Sequence, residues 1–61
     1  MILEELLWNV NDNTVVDIYS ADTREIIASY DGKDSIPEEL NDFEVTDIFV
    51  EGNHLCIEIS I

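Results

Sequence analysis

The sequence predicts a small α+β domain: a four-stranded, mainly antiparallel sheet made of two hairpins, with an N-terminal helix on one face and a short helical turn between the hairpins. Three observations support this. One apolar stripe at helical spacing opens the chain, two pairs of β-branched or alternating segments follow, and polar or glycine-bearing turns separate them. At 61 residues, the chain has room for one core, so residues 1–61 are read as a single domain.

Ile2, Leu3, Leu6, Leu7 and Val10 recur on one helical face, with Glu4, Glu5 and Asn9 turned away, which predicts a helix over Ile2 to Val10. Asn11-Asp12-Asn13 ends it, because these side chains compete for backbone hydrogen bonds. Thr14 to Ser20 and Glu25 to Tyr30 form the first hairpin about Ala21-Asp22-Thr23-Arg24. Asp31 to Asp34 is a loop. Ser35 and Glu38 have capping-box spacing around Pro37, which predicts one helical turn over Ile36 to Leu40. Phe43 to Val50 and His54 to Ile61 flank Glu51-Gly52-Asn53 as the second hairpin. A turn at Gly52-Asn53 sets Val50 opposite Leu55, Ile48 opposite Ile57 and Thr46 opposite Ile59. Val45, Asp47, Phe49, Cys56, Glu58 and Ser60 then share the other face, with Asp47 opposite Glu58. Strand order is left open by these local patterns.

Fifteen acids stand against only Arg24 and Lys33, a formal net charge of −13. Direct nucleic-acid binding is excluded on that balance, since phosphate affinity needs a basic surface. Attachment to anionic lipid fails for the same reason, and apolar runs such as Ile48-Phe49-Val50 are too short to span a bilayer. The hydrophobic fraction of 46% and five aromatic residues argue for a folded chain despite the charge. A lone Cys56 and an acidic start, Met1-Ile2-Leu3-Glu4-Glu5, predict a cytoplasmic protein.

No reaction signature emerges, so the chain is not expected to be an enzyme, and no cofactor or metal is expected. His54 and Cys56 share a strand face, but structural zinc usually takes four Cys or His ligands. As a catalytic dyad the pair lacks a third group to orient the base. Asp31-Gly32-Lys33-Asp34-Ser35 fails as a calcium loop, since its sixth position is Ile36 and its twelfth is Asp42. Gly32-Lys33 lacks the remaining residues of a phosphate loop. Glu38-Glu39 lacks a cleft in which paired carboxylates work.

Two features point to binding. Trp8 lies opposite the Leu6, Leu7 and Val10 stripe and faces outward if the helix reaches it, or folds under the Asn11-Asp12-Asn13 turn if the helix stops one residue earlier. The outer sheet face mixes Tyr19 and Phe49 with Asp17, Asp47 and Glu58, which suits a basic partner or a symmetric dimer. Carboxylates two apart on a strand lie about 6.6 Å apart, close to phosphate spacing, so an acidic sheet edge can imitate a nucleic acid.

The runs Leu3-Glu4-Glu5-Leu6, Thr14-Val15-Val16-Asp17-Ile18, Tyr30 to Leu40 and Leu55-Cys56-Ile57-Glu58-Ile59 resemble small acidic accessory proteins of Gram-positive phages and integrative elements. That class includes anti-restriction and anti-CRISPR inhibitors, and the resemblance implies a host- or defence-directed binding role. The expectation is therefore a non-catalytic acidic protein that binds a basic, nucleic-acid-handling protein through Trp8, Asp17, Tyr19, Asp47, Phe49 and Glu58. The alternative is a housekeeping or structural module that works as a homodimer through the same sheet face.

The charge excess generates a stability prediction. Salt screens carboxylate repulsion over a Debye length of about 8 Å at physiological ionic strength. The melting temperature therefore rises with sodium chloride from low to moderate concentration. A flat or falling profile in calorimetry would show that the acids are too far apart, or too well satisfied locally, to repel one another.

Overall fold

Two strands that are distant in sequence meet at the centre of the sheet. The computed structural model describes residues Met1–Ile61. It runs α1 (Leu3–Leu7), β1 (Val15–Ser20), β2 (Ile26–Tyr30), two 3₁₀ turns (Lys33–Ser35 and Glu38–Leu40), β3 (Val45–Glu51) and β4 (His54–Ile59). The sheet order is β2-β1-β4-β3. Both hairpins form as antiparallel pairs, and they join through a parallel β1/β4 ladder that runs from Val15 beside His54 to Ser20 beside Ile59. The α+β architecture with a mainly antiparallel sheet is therefore present, with one parallel pair at its middle.

The central strands supply the core. Val16, Ile18, Ile57 and Ile59 are wholly buried, packed with Leu3, Leu7 and Ile36. Burying such side chains contributes roughly 1.5–3 kcal/mol each. The helix lies over this inner face because Leu3 and Leu7, four residues apart, project from one side. The segment before it is anchored to the start of β3: Leu3 N–H donates to the Phe43 carbonyl at 2.9 Å and Val45 N–H to the Met1 carbonyl at 2.8 Å. Glu5 reaches back to accept the Ile2 N–H at 2.9 Å, satisfying a donor that the first turn leaves free.

The helix is shorter than the apolar stripe predicts. After Leu7 the backbone tightens, with Asn9 N–H donating to Leu6 and Val10 N–H to Leu7, three residues back, at 3.1 Å each. Val10 still packs against the core, which is why the stripe extends to it. Lys33 closes this end by donating from Nζ to the Leu7 carbonyl at 3.1 Å while pairing with Asp12 at 3.5 Å.

The Ser35–Glu38 capping box does not form, and two separate 3₁₀ turns replace the single helical turn. Ile36 stands between them in an extended conformation, as a residue before proline prefers, and its side chain turns into the core. The β3/β4 register follows the turn for Val50 with Leu55, Ile48 with Ile57 and Asp47 with Glu58. It then departs at a bulge. Val45, not Thr46, stands opposite Ile59, so Val45 joins the inner face instead of the outer one. The displaced Thr46 hydroxyl lies 3.2 Å from the Glu58 carbonyl oxygen and 2.8 Å from its carboxylate. No helix is long and apolar enough to cross a membrane.

Two glycines answer different demands. Gly52 turns the second hairpin at φ +62°, where a side chain is strained. Gly32 is extended, but a Cβ there would stand 2.6 Å from the Asp12 carbonyl oxygen, which is backbone and cannot swing away. Gly32→Ala therefore separates the loop from the helix end and loosens the Lys33 contacts. Gly52→Ala costs about 1 kcal/mol, and Gly32→Ala lowers denaturant midpoints further. Equal midpoints for Gly32→Ala and the native chain would show that this approach of loop and helix end is not required.

Candidate interaction surface

The register that buries Val16, Ile18, Ile57 and Ile59 turns the intervening residues to the other side of the sheet, which α1 does not cover. One row across this outer face runs Ser29, Asp17, Cys56, Phe49, and the next carries Tyr19, Glu58 and Asp47. Tyr19 and Phe49 meet diagonally across β4, ring centroids 5.3 Å apart and planes tilted by 55°. Both rings stay partly exposed, whereas Cys56, between Asp17 and Phe49 in register, is fully buried.

Asp17 is the least expected of the set, because it is only 7% exposed. Its carboxylate accepts the Ser29 hydroxyl at 2.5 Å and lies 2.9 Å from His54 Nδ1, a contact in which an ionised carboxylate can only accept. The Cys56 thiol approaches more loosely at 3.9 Å. The Ser29 hydrogen bond holds the Asp17 carboxyl below its ordinary value against the opposing effect of burial, and the contact with His54 adds to the lowering. Burial pushes the Cys56 thiol up, and the negative charges of Asp17 and Glu51 add to the shift. The Tyr19 hydroxyl moves up for the same reason, burial first and neighbouring negative charge after it.

Asp17 is thus the third group beside His54 and Cys56 that their spacing alone does not disclose. It draws both side chains to itself. The thiol keeps its proton and donates toward Asp17 and the His54 carbonyl, so it is not activated as a nucleophile. No three His, Cys, Asp or Glu side chains are arranged to hold a metal ion.

Asp47 and Glu58 stand opposite one another as expected, yet each carboxylate has its own donor. Asp47 accepts the Ile48 N–H at 2.9 Å and Glu58 accepts the Thr46 hydroxyl at 2.8 Å. Tyr19, Phe49, Asp47, Glu58 and Asp17 therefore share one face, with Asp17 supporting it from below. Trp8 does not belong to it. It caps α1 on the other layer, and although the helix stops at Leu7, the indole is 70% exposed and not tucked under the following turn.

Ser29 and Glu51 also stand on the outer face and carry no signal in the sequence, whereas His54 stands out there only as a partner of Cys56. Ser29 opposite Asp17 follows from the first hairpin, whereas His54 beside Val15 depends on the parallel pairing. The molecule is thus a one-layer mixed sheet with a helix on one side and an aromatic, acidic surface on the other. Compared with family models, curated proteins and solved structures, the chain matches none of them.

The Asp17 cluster has a pH signature. A carboxyl held below 3.8 in the fold stabilises it above that pH, and the contribution fades as pH falls through the folded value. Asp17→Asn should cost about 1–3 kcal/mol at pH 7, measured by chemical denaturation, and the gap from the native chain should narrow in acid. A gap that is absent at pH 7, or that widens in acid, would contradict this assignment.

Proposed function

We propose that this chain is a non-catalytic, cytoplasmic acidic protein that binds a basic, nucleic-acid-handling protein through the outer sheet face. The observation that carries the reading is the Tyr19–Phe49 ring pair set beside the opposed carboxylates of Asp47 and Glu58 on a face that no helix covers. Aromatic rings accept the stems and cationic heads of Arg and Lys, and the carboxylates provide charge partners at their edge. A net charge of −13 raises the encounter rate with a positively charged groove over long range. The protein would occupy such a groove as a nucleic acid does. A role of this kind agrees with the resemblance to phage and mobile-element accessory proteins, including anti-restriction and anti-CRISPR inhibitors.

Affinity capture from a Gram-positive lysate, at low and then moderate salt, tests the reading when run with variants. A basic protein retained at low salt should associate more slowly with Asp47→Asn/Glu58→Gln, while Phe49→Ala should hasten its release at every salt concentration. The double variant should keep the native melting temperature or exceed it slightly, because removing two opposed charges relieves repulsion. Light scattering provides the counter-test. A stable dimer that Phe49→Ala converts to monomers would replace this reading with the homodimer one, and capture unaffected by any of these changes would remove the face from consideration.

A further inference from the structure

Trp8 offers the most exposed aromatic surface of the fold, and it stands on the helical layer, away from Tyr19 and Phe49. A groove beside it has Leu7 and Ile36 among its apolar lining. Glu4, Asp34 and Glu38 line the same groove with carboxylates, and none of them pairs with a cation of the chain. Lys33 also borders it, but that ammonium is committed to the Leu7 carbonyl and to Asp12. The groove thus combines an exposed indole, a short apolar floor and three unneutralised acids. A neutral apolar side chain would leave those acids unmet, and an anionic ligand would be repelled.

We propose that this groove is a second docking site, which seats an arginine side chain of the basic partner. The guanidinium stacks on the Trp8 indole, its aliphatic stem lies along Leu7 and Ile36, and its N–H groups turn toward the surrounding carboxylates. Arginine fits better than lysine because its planar, weakly hydrated head stacks and forks at the same time. The inference rests on the proposed function only for the basic character of the partner, since it uses a different layer of the molecule.

The test is an NMR titration of the isotope-labelled chain with two blocked tripeptides, acetyl-Gly-Arg-Gly-amide and acetyl-Gly-Lys-Gly-amide. Saturable shifts should centre on the Trp8 indole N–H and the Lys33 and Ile36 amides, with the arginine peptide about two- to fivefold tighter. Glu4→Gln/Asp34→Asn/Glu38→Gln should abolish them. Trp8→Ala, an exposed site, should do so in the arginine peptide's Ile36 and Lys33 shifts while the melting temperature holds. Shifts that centre on Tyr19, Phe49, Asp47 and Glu58 would overturn this site and favour the outer face. Equal, non-saturating responses to the two peptides would also overturn it, and they would leave the capture experiment with Phe49→Ala to decide the proposed function separately.

Discussion

The parallel ladder between β1 and β4 is the constraint on which the remaining structure depends. By placing Val16 beside Leu55 and Ile18 beside Ile57, it gathers the most apolar side chains of both hairpins into one strip. The same ladder places Asp17 beside Cys56 and Tyr19 beside Glu58 on the reverse side. Core and surface are therefore two faces of one register. A slip by one residue would exchange them, driving Asp17 and Glu58 into the apolar layer, so the hydrophobic strip and the acidic face hold each other in place.

The chain solves the problem of a sheet with a single short helix by treating its two faces differently. Leu3 and Leu7 cover the middle of the inner face but not its β3 edge, where Val50 remains 71% exposed. The outer face has no cover and instead seals itself locally. Tyr19 and Phe49 bridge across β4, Cys56 fills the space between strands, and Asp17 is held by Ser29 and His54. A buried carboxylate with these partners is sustainable where an unpaired one would be costly. The one lysine is spent on closing the helix end instead of neutralising the acid face.

What was legible in the sequence was what neighbouring residues encode. β-branched alternation and the Gly52-Asn53 turn located both hairpins, and counting outward from that turn placed Asp47 opposite Glu58. The β1/β4 pairing was not legible, because the contact links residues about 39 positions apart and no local spacing records it. The bulge at Thr46 escaped for a different reason. Thr46, Ile48 and Val50 alternate regularly, but packing Val45 against Ile59 outweighs that regularity. Asp17 looks like a surface contact in the sequence because its own strand says nothing of His54 and Cys56, which arrive from the parallel neighbour. Trp8 stands in the sequence as a feature apart from the sheet face, outward or folded under the next turn, and the position of α1 over the inner face is what separates it from the sheet residues.

That separation bears on how a partner would approach. The Tyr19–Phe49 pair and the Trp8 groove lie on opposite layers of a body whose thinnest dimension is 16 Å. A flat basic surface reaches one of them, whereas a cleft reaches both. In a cleft the second contact forms within a complex already held by the first, so two individually weak cation-accepting surfaces add their effects at high effective concentration without any extensive apolar interface. On the proposed reading, a thin acidic body with a cation-accepting surface on each layer would suit a positively charged groove in shape as well as in charge. A second copy would bring −13 against −13, a repulsion that a homodimer through either surface would have to offset and that a basic partner would not meet.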